Sequence, residues 1–253
     1  MHDIISWFEA GAATHVGKVR HNNEDNYLIH PRAGLWAVAD GMGGHLSGEI
    51  ASGIVVEELG AVSPPASAAA LLASCEAQLV AANGRLRELS RQHNGTIGTT
   101  VVVLLVHDRH YACVWSGDSR IYRIRAGAIE QVTVDHTEAQ ELIAAGSLTA
   151  AEARTWPRRN VITHAIGVAD DPELEMVDGG LLPGDTFVLC SDGLTAHVDD
   201  NEILAAAAGA APQEACDALV ALTLDRGAVD NVTVVVVRYD LTAPAATDAG
   251  IWE

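Results

Sequence analysis

Three apolar runs in this chain stop on an aspartate. Leu35-Trp36-Ala37-Val38-Ala39 ends on Asp40-Gly41, Phe187-Val188-Leu189-Cys190-Ser191 on Asp192-Gly193, and Val114-Trp115-Ser116-Gly117 on Asp118. A fourth acid, Asp230, immediately precedes Asn231-Val232-Thr233-Val234-Val235-Val236-Val237. An apolar run followed by Asp-Gly reads as a buried strand that stops at an acidic tip. Carboxylates at strand ends, drawn from distant parts of the chain, suggest one assembled metal site. The glycines of Asp40-Gly41-Met42-Gly43-Gly44 let backbone approach a ligand closely. That stretch is therefore suited to hold one carboxylate, and one carbonyl, against something small and positive.

Between the strand runs the helices come in pairs. Residues 49–59 and 66–91 read as the first pair, separated by Pro64-Pro65. The second helix carries Leu71, Leu72, Leu79, Leu86 and Leu89 near helical spacing. Residues 137–145 and 149–154 read as a short pair, and 201–208 with 212–225 as a third. Strands are expected at 9–16, 26–30, 34–39, 99–106, 111–115, 120–124, 129–132, 174–177, 186–190 and 231–239. Residues 111–132 read as a meander with an acidic turn at Gly117-Asp118. Paired helices between runs of strands differ from the regular alternation of a parallel sheet. They predict an α+β layered domain with mainly antiparallel sheets. One domain is expected over residues 1–240. The Ala/Pro/Thr-rich tail, 241–253, reads as disordered.

The charge balance narrows the function. Among 253 residues, 34 acidic side chains face 15 Lys and Arg, a formal net charge of -19. Such a chain is unsuited to nucleic acid or an anionic membrane, which select a basic surface. It suits a protein that concentrates cations, the plain reading being a soluble, self-repelling surface. Cys75, Cys113, Cys190 and Cys216 are scattered without C-x-x-C or zinc spacing. They imply a reducing cytoplasm. No signal-peptide pattern opens the chain, and no apolar stretch reaches membrane-spanning length. A soluble, cytoplasmic monomer is expected.

Arg20-His21-Asn22-Asn23-Glu24-Asp25 adds a cation to the acids. Arginine presents a planar fork that suits phosphate oxygens. Glu24 and Asp25 are consecutive, so in a strand only one can point into a given site. Hard oxygen ligands without His or Cys select Mg²⁺ or Mn²⁺ over zinc. Two such ions ~3.5–4 Å apart can lower the pKa of a water between them and polarise a phosphoryl group. Acids with an arginine therefore suggest phosphate ester hydrolysis.

Six motifs occur in order: Arg20-x-x-Asn23-Glu24-Asp25, Asp40-Gly41-Met42-Gly43-Gly44, Gly98-Thr99-Thr100, Ser116-Gly117-Asp118-Ser119-Arg120, Ser191-Asp192-Gly193-Leu194 and Asp230-Asn231-Val232-Thr233. Together they resemble the bacterial form of the metal-dependent Ser/Thr protein phosphatases of the PP2C (PPM) family, over residues 12–238. The resemblance implies a four-layer αββα sandwich, two antiparallel sheets flanked by helix pairs, with metals at one edge. By resemblance, Asp40 bridges two metals and the Gly41 carbonyl is a further ligand. Asp192 and Asp230 complete one metal. Asp25 and Glu24 act on the second, largely through water. Asp118 matches the acid that, with Asp192, holds a third metal in bacterial relatives. Arg20 holds the substrate phosphate, and residues 147–160 match a mobile flap. The implied reaction is hydrolysis of phosphothreonine and phosphoserine by metal-activated water, with two or three Mn²⁺ or Mg²⁺ ions. The implied partners are phosphoproteins and a cognate bacterial Ser/Thr kinase system. The blocks 14–20 and 35–40 are similar to phosphatases associated with type VI secretion.

Several residues carry a plainer reading too. Met42 stands where many eukaryotic relatives have a histidine, and it cannot transfer a proton. The general acid is left unassigned, with His45 read as an ordinary loop histidine. His164 replaces a more usual arginine. His136 reads as structural. Arg158 and Arg159, in the basic loop 156–160, are either solvated charges or guides for acidic phosphopeptides. A thiol-phosphatase role for Cys190 fails because position 196 is Ala, not Arg. A phosphatase-like binding module without turnover is the alternative from another functional class, and a small-molecule phosphatase is a third reading.

Overall fold

The strands send alternate side chains into different cores, which is why their sequences are apolar on both faces. Leu35, Ala37 and Ala39 face one core while Trp36 and Val38 face a second. Val101, Val103 and Leu105 alternate with Val102, Leu104 and Val106 in the same way. Val235 and Val237 share the second core, while Val232, Val234 and Val236 face a third. Three cores separate four layers. Period-two alternation fixes which face each residue takes, and a one-residue slip would exchange the cores.

The computed structural model describes residues 7–43, 47–240, 242 and 251–252. In chain order its elements are β1 (Phe8–His15), β2 (Asp25–His30), β3 (Leu35–Met42), α1 (Ser47–Gly60), α2 (Ala68–His93), β4 (Gly98–Thr99), β5 (Val101–His107), β6 (His110–Ser116), β7 (Arg120–Arg125) and β8 (Ala128–Gln131). There follow α3 (Glu138–Ala144), α4 (Ala150–Ala153), β9 (Glu175–Gly180), β10 (Thr186–Cys190), α5 (Asp192–Thr195), α6 (Asp200–Ala207), α7 (Pro212–Asp225) and β11 (Val232–Tyr239). One sheet has the order β1-β11-β10-β7-β8 and the other β2-β3-β5-β6-β9, with β4 beside β3. Every named strand pair is antiparallel. The first core lies between α1, α2 and the β2–β9 sheet, the second between the sheets, and the third between the β1–β8 sheet and α6 and α7. The expected α+β sandwich of two antiparallel sheets flanked by helix pairs is the observed fold.

The meander expected across Gly117-Asp118 is not formed. Strand β6 pairs with β5 and β9, whereas β7 pairs with β10 and β8. Residues 117–119 therefore cross from one sheet to the other. Gly117 makes the crossing with φ +115, and a Cβ there would lie 2.6 Å from the Thr100 side chain. Local sequence cannot distinguish this from a hairpin, because the strands on both sides look alike. The run expected at 99–106 is also broken, at Thr100, into β4 and β5. The Ser191-Asp192-Gly193 strand end continues into a short helix, α5.

His45 and Gly44 lie outside the described residues, as do Leu241 and residues 243–250 of the tail. Ile251 and Trp252, near the chain end, pack against the first core, with Trp252 buried. No helix among the described residues is long and apolar enough to cross a membrane.

Candidate active site

Antiparallel order brings the acidic strand ends to one edge of the sandwich. Asp25 opens β2 directly opposite Asp40 in β3. Asp192 begins α5 just beyond β10, and Asp230 lies just before β11, the neighbour of β10. Asp118 lies in the crossing between sheets, two residues before β7. Asp25 and Asp118 are buried; Asp40, Asp192 and Asp230 are half-buried.

Each acid is positioned by its own bonds. The Asp40 carbonyl accepts from Thr100 N at 2.9 Å and from Thr99 Oγ1 at 2.9 Å, and Asp40 N donates to Thr100 Oγ1 at 3.2 Å. Ser191 Oγ donates to Asp25 Oδ2 at 2.7 Å and accepts from Thr233 N at 3.0 Å. Asn231 joins three segments: its Nδ2 donates to the carbonyls of Val16 and Asn22, and its Oδ1 accepts from Glu24 N at 2.8 Å. Glu24 lies one residue before β2. The Glu24 carboxylate accepts from Gly48 N at 3.2 Å, at the start of α1. Gly41 fits beneath that helix end only because it has no side chain; a Cβ would stand 2.0 Å from the Gly48 carbonyl oxygen. Thr100, Ser191 and Asn231 fall inside the motifs quoted above, but their hydrogen-bonding roles needed the long-range contacts to become visible.

Arg20 reaches the edge from the loop after β1. Its Nη2 donates to Asp230 Oδ2 at 2.7 Å, with both groups partly exposed. That bond, then the charge of Asp230, holds the guanidinium pKa above its ordinary value. Near the crossing, Arg120 grips Asp135 through Nε and Nη2, at 2.9 and 2.7 Å. Asp135 carried no signal in sequence beyond its acidity. His136 N donates to the Gly117 carbonyl at 2.9 Å, and its Nδ1 accepts from Gly117 N at 3.1 Å. It clasps the turn that carries Asp118, in accord with a structural histidine. His164 stands edge-on to His136, ring centres 4.5 Å apart, and pairs with Glu173 at 2.5 Å.

The acids are crowded. Burial, then repulsion from Asp192 and Asp230, pushes the Asp25 carboxyl up to about 7, against the pull of its bonds to Ser191 and Thr233. Burial and the charge of Asp192 push Asp118 up to about 7 as well. Asp40 is raised by burial and then by Asp25, Asp192 and Asp118. Asp192 is raised by burial and then by Asp230, although the neighbouring Asp40 and the charges of Arg20 and Arg120 work the other way. Asp25 Oδ1 and Asp118 Oδ1 are buried with no hydrogen-bond partner.

These observations fit a divalent cation. The donors are hard oxygens, two of them are orphaned, and the charge they crowd together is the charge that a cation neutralises. Among the described residues no three carboxylates already stand as a ligand group. Asp230 is instead drawn to Arg20. Cys190 offers no rival chemistry, because burial pushes its thiol up to about 12.

The family described as Protein phosphatase 2C matches residues 15–221, from the end of β1 into α7. The chain belongs to the protein phosphatase 2C family. Within it, the chain is 38% identical over 231 residues to the serine/threonine protein phosphatase PstP of Mycobacterium tuberculosis, covering 88% of this chain and 44% of PstP. It thus spans less than half of that relative. It is 35% identical to the protein phosphatase PhpP of Streptococcus pneumoniae, covering 92% of this chain and 98% of PhpP. Among solved structures it is similar to PppA, described as a key regulatory component of T6SS in Pseudomonas aeruginosa. The TM-score is 0.86 at 38% identity, over 92% of this chain and 98% of PppA. The catalytic domain of PstP, solved with two manganese ions, superposes with a TM-score of 0.78 at 34% identity, over 92% of this chain and 98% of that one.

Proposed function

We propose that this protein phosphatase 2C chain hydrolyses phosphothreonine and phosphoserine in proteins, using Mn²⁺ or Mg²⁺ held at the acidic edge. The single observation that carries the reading is the convergence of Asp25, Asp40, Asp192 and Asp230 at one edge, with Arg20 beside them. Asp40 and the Gly41 carbonyl, Asp192 and Asp230 would hold the ions, with Asp25 on the second, Glu24 behind it and Asp118 available to a third. Bound there, divalent ions supply a water of lowered pKa and polarise a phosphoryl oxygen. Arg20 gives up Asp230 and presents its fork to the phosphate. Ser191 and Thr100 hold Asp25 and Asp40 in place, and Asn231 fixes the loop that carries Arg20 relative to β11. Met42 contributes no proton. The manganese in PstP and the names of PstP and PhpP support this reading over a module without turnover.

The partner is a bacterial Ser/Thr kinase system, whose marks the enzyme removes in the cytoplasm. The likeness to PppA extends the proposal to phosphoproteins of a type VI secretion system. The deciding experiment follows phosphate release from a phosphothreonine peptide. Release should require added Mn²⁺ or Mg²⁺ and stop with chelator. Peptide hydrolysis that persists in excess chelator would defeat the proposal, as would metal binding without turnover. A faster rate on sugar phosphates than on phosphopeptides would redirect it to small molecules.

A further inference from the structure

A cleft of about 670 Å³ runs outward from Asp118 and Asp192, between the flap and the first turn of α6. The chemistry proposed above leaves most of it unused. Arg154 and Arg159 line it on the flap side, and Asp199 and Asp200 on the α6 side. The sequence alone pointed to Arg158 and Arg159 together, but the fold separates them. Arg158 is tied to Glu138, its Nε donating to Oε2 at 2.6 Å, and does not line the cleft. Trp156 Nε1 donates to the same carboxylate at 3.1 Å, anchoring this part of the flap.

The charges of the cleft are not equivalent. Arg120 and Asp135 neutralise each other. Asp199 is engaged as the cap of α6, accepting from Glu202 N at 3.0 Å. Asp118 and Asp192 belong to the acidic edge. Arg154 and Arg159 are exposed and make no ion pair among the described residues. Two cations without partners thus face one free carboxylate, Asp200. In a chain of net charge -19, an acidic peptide is repelled at long range. Local guanidinium groups beside the reaction edge offset that repulsion, and their forks match carboxylate and phosphate oxygens.

We infer that Arg154 and Arg159 bind an anionic side chain of the substrate, close in sequence to the phosphorylated residue. The inference rests on the phosphatase reading, because it takes the phosphate to sit at the acidic edge. An extended peptide advances ~3.3 Å per residue, so a side chain within about three residues of the phosphate reaches the cleft. The anion is a carboxylate or a second phosphate, and the substrate is an acidic or multiply phosphorylated segment.

The test uses a phosphothreonine peptide carrying Gln, Glu, phosphoserine or Lys at positions within three residues on either side. p-Nitrophenyl phosphate, which has no flanking residue, reports the reaction edge separately. For the unaltered protein, kcat/KM should rise on the order of threefold to tenfold from Gln to Glu or phosphoserine, and less at high salt. In Arg154→Ala/Arg159→Ala this ratio should fall toward one. In Arg154→Glu/Arg159→Glu the preference should turn to the Lys peptide. A larger gain with phosphoserine than with Glu identifies a second phosphate as the ligand; equal gains identify any carboxylate. Peptide hydrolysis indifferent to flanking charge, or faster on Lys peptides in the unaltered protein, overturns the inference and leaves the phosphatase reading intact. Failure of every phosphate ester, p-nitrophenyl phosphate included, instead overturns the phosphatase reading.

Discussion

Asp25 and Asp40 are directly paired residues of the β2–β3 ladder, and the charge of Asp25 adds to the cost of ionising Asp40. Neighbouring carboxylates at the end of two apolar strands oppose the folding that places them there. The consequence is a stability that depends on protons when no cation is bound. Asp25 and Asp118, at about 7 in the folded chain, sit near 3.9 when unfolded. The folded state holds these protons more tightly, so their contribution is fully present below about pH 4 and is lost as pH rises through about 7. The charged form of such a group is disfavoured by ~4 kcal/mol at most. In chelator, Tm should be lower at pH 8 than at pH 5.5, and Mn²⁺ should raise it more at pH 8. An unchanged response to Mn²⁺ across that range would count against the acidic edge as its binding place.

Asp192→Asn removes one charge from the edge and leaves the shape. Phosphopeptide turnover should fall by about 100-fold or more, the order seen when a group stabilising the transition state is removed. Circular dichroism should match the unaltered protein. Full activity in this variant would refute the assignment of Asp192.

Arg20→Lys keeps the charge but loses the fork. KM for a phosphopeptide should rise about tenfold, the equivalent of ~1.4 kcal/mol, with a smaller change in kcat. Arg20→Ala should go further in the same direction. Arg20 donates to Asp230 in this structure, so a fall in metal affinity in place of a rise in KM would assign Arg20 to Asp230 alone.

Asn231→Ala removes three hydrogen bonds at a residue 5% exposed. The carbonyls of Val16 and Asn22 and the amide of Glu24 lose their partner. A destabilisation of about 2–3 kcal/mol is expected from urea unfolding, together with lower metal affinity because Asp230 is adjacent. Unaltered stability would mean that water replaces the side chain at this joint.

Gly41→Ala places a Cβ 2.0 Å from the Gly48 carbonyl oxygen, so β3 and α1 must part. The expected cost is about 1–3 kcal/mol, with loss of turnover as the Asp40 backbone shifts. Wild-type stability and activity would show that α1 moves aside freely.

Most of the fold was legible in the sequence because it follows from local rules. Alternating Val, Leu and Ala in β3, β5 and β11 fixed the strands and both of their buried faces. Paired helical segments between them excluded a parallel sheet. The crossing at Gly117 was not legible, because hairpin and crossing differ only in which strand β7 takes as a partner. The separation of Arg158 from Arg159 was invisible for a similar reason: the Glu138 that captures one of them lies 20 residues away.

Residue type and order alone determined that aspartates end buried strands, that the donors are hard oxygens and that an arginine accompanies them. A carboxylate cannot continue into an apolar core, and that local cost is written in sequence. Tertiary structure decided which acids meet, which are orphaned and which are held by partners. Asp25 meets Ser191 across 166 positions and Asp230 meets Arg20 across 210. Contacts of that span depend on register and sheet order, which a chain acquires only when all four layers close together.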